Sequence, residues 1–371
     1  MPNSVLVTGG AGFIGGHLVS RLLEEGHRVR VLDSLLPQVH GDRGTPPDYL
    51  AADAELVVGD MRDAEAVAKA LVGIDQVVHL CARVGVGQSM YEIADYVGVN
   101  ATGTGVLLQA LLEHPVERLV VASSMSVYGE GLYLDGDGLP RAAVRRREHL
   151  EAGRWEPRGP SGQALTPVPT PETKPPALSS VYALTKYDQE RLCLLFGEAY
   201  QVPTVALRFF NVYGPYQALS NPYTGVLAIF ASRLLNGRSP MIFEDGEQRR
   251  DFVSVHDVAR ACALALSVDA AAAQVVNIGS GCSVSVNEIA ARLGRILGEE
   301  SLAPEVTGRF RVGDIRHCFA DVSMAAEVLG YRPEVDLDQG MTELATWLEG
   351  QVAVDQVDAA TSELRARGLT V

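Results

Sequence analysis

Short apolar runs recur along the first part of the chain, each followed by a stretch with helical spacing. Ser4-Val5-Leu6-Val7-Thr8 opens the series, and Arg28 to Leu32, Leu56 to Gly59, Gln76 to Leu80, Arg118 to Ala122 and Thr204 to Leu207 continue it. Runs that are continuously apolar, instead of alternating with polar residues, are buried on both faces, and strands interleaved with helices pair in parallel. The pattern predicts an α/β fold with a doubly wound parallel sheet over residues 1–210. Beyond Asn211 the rhythm turns irregular, with helices at about Gly225 to Asn236 and Val286 to Leu297, as expected of a smaller lobe over 211–348. His256 to Ser267 and Val275 to Ile278 read as a helix and a strand returning to the main sheet, so that segment 251–278 interleaves the lobes and leaves the second one discontinuous. Residues 349–371 form a C-terminal tail.

An insertion from about 130 to 176 interrupts the first lobe. It carries a basic cluster, Arg145-Arg146-Arg147, and closes in a proline-rich run, Pro167, Pro169, Pro171, Pro175 and Pro176. A connection of this length is functional or solvated, and a solvated flap, a substrate lid and a dimer arm all remain open.

With 47% hydrophobic and 21% charged residues among 371, the chain is able to bury a substantial core. Its net charge of −15 argues against nucleic acid or an anionic membrane as partner. Cys81, Cys193, Cys262, Cys282 and Cys318 are scattered without a Cys-x-x-Cys, and the histidines show no ligand spacing. A reduced, cytoplasmic protein without structural metal is expected. The first strand starts almost at Met1, which leaves no room for a signal peptide, and Ala261 to Ile278 is broken by Ser267, Asp269 and Gln274, so no membrane span is expected.

The chemistry concentrates in three places. At Thr8 to Gly15 the first strand breaks into TGGAGFIG and a helix follows. Glycines at Gly9, Gly12 and Gly15 allow a sharp turn, close approach to a pyrophosphate and tight helix packing, with the free N–H groups of the helix start facing the anion. Asp33 ends the next strand, where a carboxylate accepts the ribose hydroxyls and repels a 2′-phosphate, so NAD is favoured over NADP. Ser179-Ser180 caps a helix on which Tyr182 and Lys186 share a face at i and i+4. A phenol working as a base near neutrality needs its pKa lowered by about 2–3 units, and an adjacent ammonium together with a positive nicotinamide ring would supply that. Ser124 leaves the run Arg118 to Ala122 at the strand end where doubly wound sheets bind ligands, placed to hold a reacting oxygen.

With these residues in place, the chain from about Ser4 to Leu348 resembles the extended short-chain dehydrogenase/reductase family, in its nucleotide-sugar epimerase and dehydratase branch. The resemblance implies a Rossmann-type sheet binding NAD and a catalytic Ser124, Tyr182 and Lys186, the last two touching the cofactor as well. It also implies cofactor contacts from Gly9, Gly12, Phe13, Ile14, Gly15, Asp33, Asp60, Met61, Leu80, Ala82, Asn100 and Phe209. The nucleotide sugar would meet Ser124, Asn211, Arg250, Arg311 and Cys318, and Arg83 is a further candidate there. A homodimer is expected from the family.

Substitutions within the motifs narrow the reaction. Dehydratases of the branch carry Asp-Glu after the serine, whereas Met125 and Ser126 stand here, and neither does acid–base work near neutral pH. Epimerisation at C4 or a plain reduction remains. The stretches Asn211 to Gly237 and Gly313 to Asp321 are similar to the dTDP-L-rhamnose 4-epimerase group, which forms dTDP-6-deoxy-L-talose. Members of that group often carry a Cys-Pro-x-Cys element where this chain has Gly159-Pro160-Ser161-Gly162, so no metal is expected. A UDP-glucose/UDP-galactose-type 4-epimerase and an NAD(P)H-dependent sugar-nucleotide reductase are the alternatives. Replacing Asp33→Ala is expected to narrow the preference for NAD over NADP by roughly tenfold, about 1.4 kcal/mol, in cofactor titrations; an unchanged ratio would show that another residue reads the ribose.

Overall fold

The computed structural model describes residues 2–41, 44–143, 145–159, 161–218, 225–311, 313–349, 351 and 357–370. Pro160 of the insertion and residues 219–224 of the Asn211 to Gly237 stretch lie outside them. Seven strands, β1 (Ser4–Thr8), β2 (Arg28–Asp33), β3 (Glu55–Val58), β4 (Gln76–His79), β5 (Arg118–Ser124), β6 (Thr204–Phe209) and β7 (Val275–Ile278), form one sheet in the order β7-β6-β5-β4-β1-β2-β3. Every pairing is parallel. The order reverses between β1 and β4, which makes the crevice beyond their carboxyl ends the place for a ligand.

Side-chain alternation explains why helices cover both faces. Val5 and Val7 of β1 turn to one side, where Leu18, Val19 and Leu22 of helix α1 (Phe13–Glu24) and Val258, Ala261 and Cys262 of helix Val255–Ser267 bury them. Leu6 turns to the other, against Leu107, Leu111, and Cys193 and Phe196 of helix α2 (Val181–Tyr200). A strand apolar at every position is what two covered faces require. Strand β7 comes from segment 251–278 and pairs with β6.

The second lobe has its own core. Helix Val226–Leu235 packs Leu227, Phe230 and Leu234 against Ile289 and Leu293 of helix Val286–Ile296 and Met341, Leu344 and Leu348 of helix Leu337–Leu348. Helix Val286–Ile296 starts in a capping box, Ser285 and Glu288 bonding each other's backbone. Among the described residues no helix is long and apolar enough to cross a membrane.

The insertion is a folded brace. Leu132–Leu134 pairs antiparallel with Pro140–Arg141 and with Thr166–Val168, and Thr170 bridges to Ala320. Charges then lock it to the second lobe: Glu156 receives two guanidinium nitrogens of Arg316 and lies 3.0 Å from His317, Glu130 accepts the Arg316 N–H, and Arg145 reaches the buried Glu244. Of the arginine cluster, Arg146 and Arg147 are exposed beside Glu148 and Glu151.

Helix α2 is tied to the sheet by one buried ion pair. Arg208 of β6 donates to both carboxylate oxygens of Glu190 at 2.9 and 2.7 Å, and Ser123 adds a third bond at 2.7 Å. Removing one partner strands the other charge in the interior. Glu190→Ala is expected to cost about 3–5 kcal/mol in denaturant unfolding; a loss below about 1 kcal/mol would mean that water reaches Arg208.

Candidate active site

The turn after β1 is built around missing side chains. Gly9 adopts φ of 69°, and a Cβ on it would lie 2.9 Å from the Cys81 backbone just beyond β4. At Gly15 a Cβ would come within 2.4 Å of the Gly9 carbonyl oxygen, so the first turn of α1 rests directly on the loop. At Gly12 the contact is milder but still tight, a Cβ lying 3.2 Å from the Gly9 oxygen. Sequence reading passed over Gly10, whose Cβ would strike the Val31 side chain and the Val7 oxygen. Helix α1 begins at Gly12 without a side-chain cap or an acid in its first turn, leaving the amino-terminal donors around Phe13 and Ile14 to an anion. These features fit a pyrophosphate.

Asp33 closes the cradle. Its Oδ2 accepts the Ala11 N–H at 3.1 Å and its Oδ1 the Leu35 N–H at 2.9 Å, so the carboxylate is held beside the turn. Tyr49, which no motif announced, donates to the Ala11 carbonyl at 2.8 Å, and its ring stacks on Tyr216. Asp60 accepts three hydrogen bonds from Arg62, which hold its carboxyl below the usual range, and Met61 is buried against Gly103. Leu80 bonds the Thr8 carbonyl, and Ala82 follows at the half-buried edge of the same crevice.

The three reactive side chains converge from two elements. Ser124 ends β5 and caps the short turn Met125–Tyr128; its Oγ receives the Ser126 hydroxyl at 2.9 Å. Ser180 caps α2 through the Ala183 N–H, which places Tyr182 in the first turn, its phenol within the influence of Ser124 and its ring edge toward Tyr96. Burial pushes the phenol above its ordinary range while Ser124 pulls it back. Lys186, one turn on, is driven down to about 8 by burial, and its ammonium donates to Gln189 at 2.7 Å. The chain alone therefore does not lower the phenol as the Tyr–Lys spacing suggested: desolvation outweighs the Ser124 hydroxyl.

Asn100 sits on a π-turn, Val97–Thr102, of the kind common at functional sites. Its carboxamide accepts from the Arg83 N–H at 2.7 Å and donates to the Arg83 carbonyl and the Thr185 hydroxyl at 3.0 Å, splinting the loop after β4 to α2. Phe209 ends β6, buried, and the Asn211 side-chain oxygen just beyond it is buried with no protein partner. The structure places the remaining candidates differently from one another. Arg83 gives its guanidinium to Glu92 at 2.6 Å and Asp95 at 2.9 Å. Arg250 bonds the Ile315 and Arg316 carbonyls. Arg311 is the more exposed of the second lobe's pair, resting over the Phe243 ring with Asp314 nearby. Cys318 is fully buried under the turn after Ser124 among Met125, Tyr128 and Phe210, its thiol pushed up to about 12.

A cavity of about 80 Å³ joins Ser126 and Ser180 to Arg311 and Asp314. Its outer wall comes from a part of the chain that sequence reading left as a tail: Leu364 on helix Val357–Ala366, and Leu369. Thr370 bridges to Arg311 and Arg367 lies over Tyr91 at 4.2 Å, so the C-terminal segment covers the cavity. A larger hollow of about 880 Å³ opens at the opposite edge of the sheet, beside Asn3, Gln76 and Arg118.

Comparison with known proteins agrees with this geometry. A profile of the NAD-dependent epimerase/dehydratase family matches residues 5–279. The chain is 38% identical over 351 residues to the dTDP-L-rhamnose 4-epimerase of Burkholderia thailandensis, covering 93% of this chain and 94% of that one. Among solved structures it is similar to the UDP-glucose 4-epimerase of Thermotoga maritima with UDP-glucose (TM-score 0.76, 30% identity, 93% and 98% coverage). It is likewise similar to the UDP-glucose 4-epimerase of Thermus thermophilus in complex with NAD (TM-score 0.74, 30% identity, 94% and 100% coverage).

The contact at Gly15 is with backbone, which has little freedom to yield. Gly15→Ala is expected to destabilise the chain by about 1–3 kcal/mol in thermal or denaturant unfolding and to weaken dinucleotide binding in titrations; parent-like values in both would mean that α1 is not pressed on the turn.

Proposed function

The chain belongs to the NAD-dependent epimerase/dehydratase family, and from that premise we propose that it is a nucleotide-sugar 4-epimerase acting on a dTDP-6-deoxyhexose, interconverting dTDP-L-rhamnose and dTDP-6-deoxy-L-talose. The observation that carries the reaction type is Ser124 at the end of β5, set where it lowers the Tyr182 phenol, with Lys186 one turn away from that phenol on α2. Tyr182 as phenolate takes the proton of the sugar 4-hydroxyl, and Ser124 holds the oxygen as it becomes a carbonyl. Once the 4-ketose has presented its other face, Tyr182 returns the proton, and no net redox occurs. NAD supplies a hydride acceptor that gives the hydride back, and a positive ring that favours the phenolate. Gly9, Gly12, Gly15 and the start of α1 would hold its pyrophosphate, with Asp33 at the ribose.

Dehydration finds no support at the position after Ser124: Met125 is packed in a hydrophobic cluster, and Ser126 spends its hydroxyl on Ser124. The dTDP-rhamnose assignment rests on the Burkholderia relative and the apolar wall of the cavity, and the Thermotoga relative supports UDP-glucose as the second reading. Arg311, at the cavity and the more exposed of the two arginines, is proposed to meet the diphosphate, with Arg250 holding its loop. A homodimer through α2 is supported by Leu184, Leu192 and Leu195, exposed along one flank of that helix, with Ile93, Val97 and Leu112 exposed as well. Five unpaired cysteines fit a reducing, cytoplasmic compartment.

The test is a proton NMR time course of the purified enzyme with dTDP-L-rhamnose and no added cofactor. A second anomeric signal growing to a fixed ratio is expected, and Tyr182→Phe should leave the spectrum flat. A silent spectrum from the parent with dTDP-L-rhamnose, but turnover of UDP-glucose, would transfer the assignment to the second reading.

A further inference from the structure

A buried chain of hydrogen bonds links the glycine turn to Lys186 through side chains that the reaction itself leaves unused. Thr8 Oγ1 lies 2.7 Å from His79 Nδ1 and accepts the Cys81 N–H at 3.3 Å. His79 Nε2 lies 2.9 Å from the Thr104 hydroxyl, which donates to the Asn100 carbonyl at 2.6 Å. The Gln189 amide nitrogen stands 3.1 Å from the Cys81 carbonyl, 3.0 Å from Thr104 Oγ1 and 3.1 Å from His79 Nε2, while its oxygen receives the Lys186 ammonium at 2.7 Å. Thr8, His79, Thr104, Gln189 and Lys186 are all nearly or wholly buried.

Counting protons leaves one arrangement. The Thr104 hydroxyl has one proton and gives it to Asn100, so toward His79 and Gln189 it only accepts. His79 therefore carries its proton on Nε2, and Nδ1 accepts from Thr8. A neutral ring fits a site where burial and the neighbouring Lys186 hold it down to about 3. The Gln189 NH₂ must then donate to Cys81 and Thr104. Flipping the amide would set its oxygen against a carbonyl and its NH₂ against an ammonium, so the carbonyl of Gln189 is fixed on Lys186.

We infer that Gln189 is the positioning residue of Lys186: its carbonyl, oriented by the bonds of its NH₂ to Cys81 and Thr104, fixes one proton of the ammonium and leaves two donors for the side of Tyr182. The inference rests on the reading of Tyr182 and Lys186 as the acid–base pair. The charged and titratable groups that act on the ammonium are Glu190 and Cys193 on its own helix and His79 and Cys81 at the end of β4. Glu190 is matched by Arg208, and burial holds both thiols up to about 12. Glu190 also favours the ammonium by its charge, and the Gln189 carbonyl is the acceptor bonded to it directly at 2.7 Å.

Two substitutions in the full-length, NAD-loaded enzyme test this. Gln189→Met keeps the volume and removes the acceptor; Gln189→Glu keeps the acceptor and adds a charge. The alkaline limb of the kcat profile, set by loss of the Lys186 proton, is expected to fall by about one pH unit in the first and rise by about one in the second. At its optimum the Met variant should lose kcat about tenfold with KM within about twofold. Opposite shifts from two replacements at one position are not what a packing defect produces, and limbs within about 0.2 unit of the parent in both would overturn the inference. Independently of turnover, nitrogen–proton ring spectra of the parent are expected to show His79 as the Nε2–H tautomer with no titration between about pH 5 and 9. An Nδ1–H tautomer would overturn the hydrogen-bond order even if the sugar assignment held, and a silent sugar assay would leave this spectral result standing.

Discussion

Because a strand buried on both faces must find all its backbone hydrogen bonds within the ladder, the register among β1, β4, β5 and β6 is not free to slip, and that register decides where the chemistry falls. Thr8 is level with His79, His79 with Val121, and Ser124 with Phe209, which leaves four consecutive strands ending along one edge. The glycine turn, the loop carrying Ala82 and Arg83, the Ser124 turn and Asn211 all issue from that edge. A slip of one residue in β5 would turn Ser124 to the opposite face of the sheet and separate it from Tyr182. The site is thus a consequence of sheet pairing, and α2 is then added to it from the far side, held by Glu190 on Arg208 and Ser123.

Burial acts on the two reactive groups of α2 in opposite directions. It raises Tyr182 and lowers Lys186 to about 8, in each case favouring the neutral form. Left to desolvation, the pair would lose the charges it needs. Fixed dipoles oppose this: the Ser124 hydroxyl at the phenol and the Gln189 carbonyl at the ammonium. Such groups cost no reorganisation when the proton moves, because the surrounding backbone and Thr104 already hold them in place.

The parts of the site that were legible in the sequence are those set within a few residues of one another. Gly9, Gly12 and Gly15 after an apolar run, Asp33 at the next strand end, Ser180 capping the helix of Tyr182 and Lys186, and the strand exit at Ser124 each carry a local physical reason. The doubly wound sheet was legible for the same cause, since burial on both faces writes itself into continuous apolar runs. What escaped depends on partners distant in sequence. Nothing in the text of the chain says that Tyr49 bonds Ala11, that Gln189 is clamped by Cys81 and Thr104, that Arg83 is paired with Glu92 and Asp95, or that Leu364 and Leu369 wall the cavity. The proline-rich insertion illustrates the limit: composition described it as loop, and only the buried pairings to Arg316 and Glu244 make it a brace.

Those pairings bear on how one fold serves different sugars. The loop from Arg311 to Arg316 is held from three directions: Arg250 bonds its carbonyls from the second lobe, Arg145 of the insertion reaches the Asp314 carbonyl, and Thr370 of the C-terminal segment bridges to Arg311. None of these contacts involves the main sheet. The edge carrying the glycine turn and Ser124 is fixed by a ladder that tolerates no slip, whereas the cavity wall at Arg311 and Asp314 is held by segments lying outside the sheet. The insertion also touches the sheet side: Lys174 donates to the Tyr128 carbonyl in the turn after Ser124, and Glu172 accepts the Asn277 N–H of β7. Relatives named for dTDP-L-rhamnose and for UDP-glucose share this architecture, and under the proposed function substrate choice would lie in the cavity wall, built from the parts of the chain with the least regular sequence.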